Sequence, residues 1–236
     1  MLNPSEMAIL LKVNSRKEIE IKTIEGEINM TFHKKFLCDT IEFPEVLKGA
    51  GIQRYRISTK LSQGKREYLD VQNYLKENSG EKTRHHQCQR IAMQGITGVD
   101  DKRRLVMTLV PSGFYLANSC NYILKPKNSK LEYILGILNS SLLNWVFKKT
   151  STNSNVNCYE ADKLPIPIAS INENEIIIRV NQILQYKESD ANADTSALEA
   201  EIDRMVYELY GLTEEEIKIV EGEIRNIPLP CRHFGL

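Results

Sequence analysis

Histidine, arginine and glutamine are concentrated in the stretch KTRHHQCQR, which begins at Lys82. Arginine forms paired hydrogen bonds with guanine, and glutamine with adenine, in the major groove of DNA. The candidates for reading bases in this stretch are Arg84, His85, His86 and Gln87. His85, His86 and Cys88 are also metal-ligand types, but a second ligand pair at suitable spacing is missing, so no metal site is expected. A solvated loop explains the same composition equally well.

A second set of residues is basic and suited to phosphate. Arg54 and Arg56 alternate along a predicted strand, Ile52–Ile57, so they share one face, which is either solvated or in contact with phosphate. Lys60 adds charge nearby, and Asp100–Arg104 predicts a charged turn. The candidate phosphate contacts are Arg54, Arg56, Lys65, Arg66, Arg103, Lys148 and Lys149.

The segment after Lys149 is rich in threonine, serine and asparagine and follows a predicted amphipathic helix over 131–149. Short hydrogen-bonding side chains beside two lysines are useful at a nucleic-acid surface. Thr152, Asn153 and Asn155 are therefore further candidates for base contacts. Pro165 and Pro167 then separate this region from later helices because proline fits poorly inside a helix.

Motifs for catalysis are missing from the sequence. It contains no G-x-S-x-G, P-loop, G-x-G-x-x-G or H-E-x-x-H motif, and no Asn-Pro-Pro-Tyr-like loop for methylating a flipped adenine. Glu20-Ile21-Lys22 has the E-x-K spacing of metal-dependent nucleases but lacks the upstream acidic motif. We therefore expect no catalytic residue in this chain.

The charge distribution divides the chain into two parts despite a formal net charge of zero. Residues 48–130 hold 16 Lys/Arg and 6 Asp/Glu, whereas residues 150–236 hold 7 and 16. A basic region is the natural surface for a polyanion, and an acidic one is repelled by phosphate. Glutamate-rich solvent faces on ordinary helices also explain the acidic part.

The composition indicates a globular protein that is not inserted in a membrane. Hydrophobic residues make up 42% and charged residues 26% of 236 positions, and no apolar run reaches the roughly 18 residues of a membrane span. Five cysteines, an odd number with no C-x-x-C pair, argue against a disulfide framework and favour a cytoplasmic location.

The spacing of apolar residues predicts an α+β fold. Alternation over 17–32 predicts a β-hairpin, 66–77 predicts a helix, and short strands are expected between residues 89 and 124. Helices are expected over 172–188 and 196–210, with Gly211 as a C-cap and a capping box from Thr213 to Glu216. We expect a strand-rich subdomain, 1–165, in which 1–46 is a hairpin-containing lead-in, and a helical subdomain, 166–236.

The order of several segments resembles a known family. These segments are LKGAGIQRY, QRIAMQGITG, GFYLANSCNYIL, YILGILNSSLLNWVFK and KLPIP, followed by the tail ALEAEIDRMVYELYGLTEEEIKIVEG. In this order they resemble the TaqI-like C-terminal specificity domain, the target-recognition region of adenine-N6 DNA methyltransferases and of single-chain type IIG restriction-modification enzymes. The likeness extends over roughly residues 47–222. The nuclease and methyltransferase domains of those enzymes are not represented here.

The resemblance implies a sequence-specific double-stranded DNA-recognition module. S-adenosylmethionine is then expected only in an associated methyltransferase domain, and a methyltransferase or nuclease domain is an expected partner in cis or in trans. The alternative is a protein–protein interaction subunit that docks on a separate DNA methyltransferase. The target sequence, the oligomeric state and the division between base and phosphate contacts do not follow from the sequence.

Overall fold

The structure is a computed structural model that describes residues 2–58, 65–98, 102–168 and 172–222. Its architecture is α+β, with all strands of the described residues before residue 125 and most of the helices after residue 130. Lys60, Asp100, Asp101 and Cys231, which contributed to the sequence interpretation, lie outside the described residues.

A four-stranded antiparallel sheet forms the centre of the molecule. Its spatial order is β1 (Thr23–Glu25), β10 (Cys120–Leu124), β7 (Arg90–Gln94) and β8 (Met107–Val110). Successive side chains of a strand point to opposite faces, so Ile91 and Met93 belong to one apolar cluster and Ala92 to another. The sheet is therefore buried on both faces.

Helices cover the first face of the sheet. This helical layer consists of α1 (Pro4–Asn14), α3 (Leu131–Asn139), α4 (Ser141–Thr150), the short α5 (Cys158–Ala161), α6 (Glu173–Ser189), α7 (Ser196–Tyr210) and α8 (Glu214–Glu221). Ile134, Leu138, Ile176 and Val206 are fully buried between the helices and the sheet. Burying such side chains stabilises the fold by about 1.5–3 kcal/mol each.

Three two-stranded pairs cover the second face, and we call them the strand-pair layer. β2 (Leu37–Cys38) pairs with β6 (Tyr68–Leu69), β3 (Val46–Leu47) runs parallel to β9 (Tyr115–Leu116), and β4 (Ile52–Gln53) pairs with β5 (Arg56–Ile57). The layer also holds helix α2 (Val71–Glu77) and the 3-10 helices Lys34–Phe36, Gly49–Gly51 and Glu81–Gln87.

The predicted β-hairpin over 17–32 is wrong. Within it, β1 pairs with β10, with Thr23 opposite Ile123, and the Gly26 N–H donates to the carbonyl of Cys120 at 2.8 Å. Ile21 is buried against the helical layer, whereas Ile28 is buried in the strand-pair layer. The alternation therefore reflects a chain that crosses the edge of the sheet and buries side chains on both sides.

Two other predicted elements are divided in the structure. The expected strand Ile52–Ile57 is a tight hairpin, because Tyr55 has φ +59° and reverses the chain between β4 and β5. The expected helix over 131–149 is two helices, because Ser140 has an extended backbone (ψ 158°) and its hydroxyl accepts from the Leu143 N–H as the N-cap of α4. The helix predicted over 66–77 begins only at Val71.

The predicted ends of the later helices are confirmed. α7 spans Ser196–Tyr210, and Gly211 follows it in the left-handed conformation at φ +66°. Thr213 and Glu216 form the reciprocal capping box that begins α8. In the described part of the chain, no helix has both the length and the apolar character needed to cross a membrane.

Candidate nucleic-acid interface

The 3-10 helix Glu81–Gln87, here called the 81–87 segment, lies in the strand-pair layer directly before β7. Its side chains divide into two sets. Arg84 and Gln87 are exposed, and their side chains form no hydrogen bond or ion pair with another described residue, whereas His85 and His86 turn inward. Arginine and glutamine are the residue types in this stretch that can form paired hydrogen bonds with base edges. The two side chains that face outward are therefore the ones suited to reading bases.

The inward histidines anchor the 81–87 segment. Nδ1 of His85 shares a hydrogen bond with the Tyr122 hydroxyl at 2.7 Å. The His86 ring stacks on Tyr115 with centroids 4.3 Å apart, and its Nδ1 donates to the carbonyl of Thr83 at 2.9 Å. Burial lowers the pKa of both imidazoles from 6.5, which favours the neutral rings that these contacts use.

A buried ion pair lies beneath the same segment. Arg90 is the last residue of the polar stretch KTRHHQCQR. It is 0% exposed, and its Nη2 is 2.9 Å from Oε1 of Glu27. Its guanidinium also donates to the carbonyls of His85 and Phe114. Burial raises the pKa of Glu27 and lowers that of Arg90, because each charge has left water. Arg90 therefore supports the 81–87 segment from inside and is not a surface contact.

The polar loop at 152–155 is the second exposed segment, and its backbone is fixed. The Thr97 N–H donates to the carbonyl of Ser154, and the Val156 N–H donates to that of Gly95, both at 2.9 Å. Arg104 is 1% exposed and donates to the carbonyl of Asn153, so it supports the loop and does not face solvent. The side chains of Thr152, Asn153 and Asn155 are exposed.

Arg103, Lys148 and Lys149 lie in one region, close to this loop. Together with Lys102 they line a surface groove of 1330 Å³ between α1, α4 and α8. Lys149 forms an ion pair with Glu6 of α1 at 2.5 Å, so part of its charge is compensated. Burial lowers the pKa of the half-buried Arg103 guanidinium.

The hairpin of β4 and β5 places its two arginines differently. Arg54 forms an ion pair with Glu199 of α7, and its Nη1 donates to the carbonyl of Asn139. It thus joins the hairpin to the helical layer, and we do not include it in the interface. Arg56 is half-exposed and forms no ion pair within the described residues.

Lys65 and Arg66 lie at the surface beside acidic partners. Nζ of Lys65 is 2.7 Å from the Asp39 carboxylate, and both side chains are about two-thirds exposed, at 67% and 69%. The Arg66 Nε is 3.6 Å from Glu45. Exposed ion pairs are worth about 0–1 kcal/mol, so a phosphate can replace Asp39 as the partner of Lys65 at little cost.

The structure thus divides the predicted base contacts between two places. The 81–87 segment precedes β7, whereas the loop at 152–155 pairs with Ile96 and Thr97 just after it. Five strand residues at about 3.3 Å each separate the two by roughly 17 Å. The contacts of individual side chains with bases or phosphates are predictions.

Three of the segments that carry the family resemblance meet at one turn, and sequence reasoning missed this role. The Gly49 N–H donates to the Ser119 hydroxyl at 3.0 Å, and the Gly95 N–H donates to the Ser119 carbonyl at 2.8 Å. A Cβ on Gly49 or Gly95 would lie 2.5 or 2.9 Å from that carbonyl oxygen. Only glycine allows this approach, so both glycines serve the packing of the fold. In the sequence, the signal for this packing role was that both glycines stand beside turn-forming residues.

The sequence comparisons agree with this architecture. The sequence matches the TaqI-like C-terminal specificity domain over residues 44–166, which is more than half of the chain. The chain therefore belongs to this family of specificity domains. The matched range contains the strand-pair layer from Pro44 onward, strands β7, β8 and β10, and both candidate segments. No curated protein matches the sequence.

A solved structure has the same fold. The chain is similar to the type IIL restriction-modification enzyme MmeI in complex with DNA, with a TM-score of 0.58 at 12% sequence identity. The similarity covers 87% of this chain and 35% of MmeI, so the chain spans about a third of the length of that enzyme. The likeness extends beyond the family match into the helical layer.

Proposed function

We propose that this chain is the sequence-specific double-stranded DNA-recognition module of a restriction-modification enzyme. The 81–87 segment reads bases in a groove, and basic residues around it and around the loop at 152–155 contact phosphate. Phosphate contacts hold and orient the protein, while contacts to base edges carry the specificity.

The observation that carries this proposal is the placement of Arg84 and Gln87 on an anchored segment within the family's matched range. Both side chains are exposed, and the histidines between them are fixed to Tyr122 and Tyr115. Preorganised donors lose less conformational entropy on binding than donors on a free loop. The segment therefore suits a specific contact better than a solvated loop would.

We further propose that catalysis belongs to an associated domain, joined in cis or in trans. That domain would methylate adenine with S-adenosylmethionine or cleave the duplex, and a cytoplasmic location would follow from this role. The side chains of the described residues form no cluster of three or more His, Cys, Asp or Glu that could hold a metal ion. The residues proposed for recognition bind DNA and carry out no bond-making step.

The test is a selection from a randomised duplex pool by the full chain, followed by a gel-shift titration against salt. A recognition module returns a defined site, and its affinity for that site falls steeply as salt rises because bound phosphates release counterions. A pool that stays random, or an affinity that does not change with salt, would contradict the proposal.

A protein-docking subunit is the second candidate, and one observation favours it. Met7 and Leu11 are one turn apart on α1 and are 47% and 66% exposed, which gives the helical layer an apolar surface strip. Under this alternative the isolated chain retards no duplex of the pool in a gel, and a gel shift appears only after a methyltransferase chain is added. Binding of a duplex by the isolated chain would favour the DNA-recognition module.

A further inference from the structure

Phe32 is the aromatic residue that the fold leaves most exposed among the described large hydrophobic side chains, at 78%. It lies in the strand-pair layer, in the turn between Ile28 and the 3-10 helix Lys34–Phe36. Phenylalanine has no polar atom, so a ring held in water is costly unless a partner covers it. Single exposed hydrophobic residues are common on protein surfaces. The residues around Phe32 must therefore indicate whether a partner covers its ring, and which one.

The turn that carries Phe32 is closely tied by hydrogen bonds. Oδ1 of Asn29 accepts from the N–H groups of Thr31 and Phe32, at 3.0 and 3.1 Å. The Asn29 N–H donates to Nδ1 of His33, and the His33 N–H donates back to the Asn29 carbonyl. The backbone beneath the ring is thus fixed, and Phe32 is presented in a set direction.

The turn is also connected to the centre of the molecule. Oδ1 of Asn118 accepts from the Met30 N–H at 3.2 Å, and the Asn118 N–H donates to the carbonyl of Ile28 at 2.8 Å. Asn118 belongs to the Ala117–Ser119 turn, against which Gly49 and Gly95 are packed. The position of Phe32 is therefore set by the same turn on which the family's segments converge.

Aromatic contacts place this turn beside the 81–87 segment. His33 packs edge-on against Tyr74 at 5.2 Å, Tyr74 packs against Tyr115 at 6.0 Å, and Tyr115 stacks on His86 at 4.3 Å. Lys82 at the start of the segment is close enough to His33 to add to the lowering of its pKa by burial. The two surfaces are thus adjacent parts of the strand-pair layer.

The charges around the ring favour a polyanion. Lys34 and Lys35 are exposed and follow Phe32 after one intervening residue, His33, and Lys34 forms no ion pair with any described residue. Lys35 pairs with Glu77, but both side chains are more than half exposed, at 60% and 55%. Proteins insert apolar rings between base steps, and nearby basic side chains contact the phosphates of the same DNA.

We infer that Phe32 is a stacking residue that inserts at a base step of the duplex next to the bases read by the 81–87 segment. The inference rests on the proposed function and adds a specific contact to it. Lys34 and Lys35 hold the phosphates on either side of the step. Phe32 itself adds affinity by stacking and requires no hydrogen bond to a base edge.

The experiment uses duplexes selected by the full wild-type chain, with 2-aminopurine replacing one adenine at a time. Wild-type protein should raise the fluorescence at one step, because 2-aminopurine brightens when it is unstacked. The variant Phe32→Ala should abolish this rise and bind about tenfold more weakly or worse, since a stacked base contributes a factor of this size. The slope of affinity against salt should stay unchanged, since no charge is lost.

Two further variants act as controls. Phe32→Trp keeps a stacking ring and should retain both the fluorescence rise and the affinity. Tyr186→Ala removes a 50% exposed aromatic from α6 in the helical layer and should change neither. Thermal unfolding of Phe32→Ala should match the wild type, because the removed ring is exposed.

The outcomes separate the inference from the proposed function. If the wild type binds its site and Phe32→Ala binds equally well with the same fluorescence, the inference is wrong and another protein surface covers the ring. If the wild type binds no duplex, the proposed function fails, and the inference fails with it.

Discussion

The 81–87 segment and the loop at 152–155 lie at opposite ends of β7 and are held in different ways. The segment is anchored by its own side chains, His85 and His86, which leaves Arg84 and Gln87 outward. The loop is anchored through its backbone, by Thr97, Val156 and the buried Arg104, which leaves every side chain from Thr152 to Asn155 exposed. A side-chain anchor selects which residues face out, whereas a backbone anchor presents all of them.

We propose from this difference that the two places do different work. Directed arginine and glutamine suit base reading, in which geometry must match a pattern of donors and acceptors. An evenly exposed row of threonine, serine and asparagine suits phosphate oxygens, which make few geometric demands. The following predictions test the contrast in order of expected size.

The largest effect is expected from the ion pair beneath the 81–87 segment. Arg90→Met leaves Glu27 as an unpaired buried carboxylate and should lower the free energy of unfolding by about 3–5 kcal/mol. Chemical denaturation measures this change. Lys35→Met breaks an exposed pair with Glu77 and should cost less than about 1 kcal/mol. Equal effects of the two substitutions would contradict the buried role of Arg90.

Removal of an outward side chain should chiefly change specificity. Arg84→Ala should reduce discrimination between the selected site and an altered site by about 1–3 kcal/mol, the contribution of one paired base contact. Competition gel shifts measure the ratio. Lys65→Ala removes the same charge from an exposed position and should weaken binding to both duplexes equally. If both variants weaken the two duplexes uniformly, Arg84 is a phosphate contact.

The loop at 152–155 should behave in the opposite way. Asn153→Ala should weaken binding to every duplex by about 0.5–1.5 kcal/mol, the usual net contribution of one hydrogen bond. Its carbonyl, which accepts from Arg104, is retained in alanine, so the loop should keep its shape. A loss confined to the selected site would show that the loop reads bases as well.

The smallest effect concerns pH. The folded state lowers the pKa of His85 and His86 below 6.5, so their contribution to stability is fully present above about pH 6.5. As the pH falls through 6.5, the unfolded chain binds protons that the folded chain does not, and stability decreases. Stability measured from pH 7.5 to 5 should therefore fall less steeply in His86→Phe, which keeps the stack on Tyr115. Identical slopes in variant and wild type would contradict the anchoring role.

Most of the helical layer was predictable because its signals are local. The bounds of α7, its glycine cap and the capping box of α8 all follow from residues a few positions apart. The break at Ser140 was missed because serine tolerates a helix interior, and only the capping hydrogen bond to Leu143 shows where a new helix begins. Local patterns thus gave α6, α7, α8 and the stretch of α3 and α4, but neither α1 and α5 nor the break at Ser140.

The central sheet was less predictable because its contacts join distant segments. The pairing of β1 with β10 connects residues about a hundred positions apart, and no spacing within 17–32 indicates it. The burial of Arg90 depends on Glu27, which lies in that same misread segment. Composition found the 81–87 segment, but only the fold shows that Arg84 and Gln87 point outward while His85 and His86 are anchors.

The central claim, that the 81–87 segment selects the DNA sequence, is tested most directly by repeating the randomised-duplex selection with the double variant Arg84→Ala/Gln87→Ala. We predict that the wild type returns a defined site and that the double variant loses preference at particular positions of it. The affinity of the double variant for random duplex should fall only modestly, since a single charge is removed. Recovery of the wild-type site by the double variant would contradict the account.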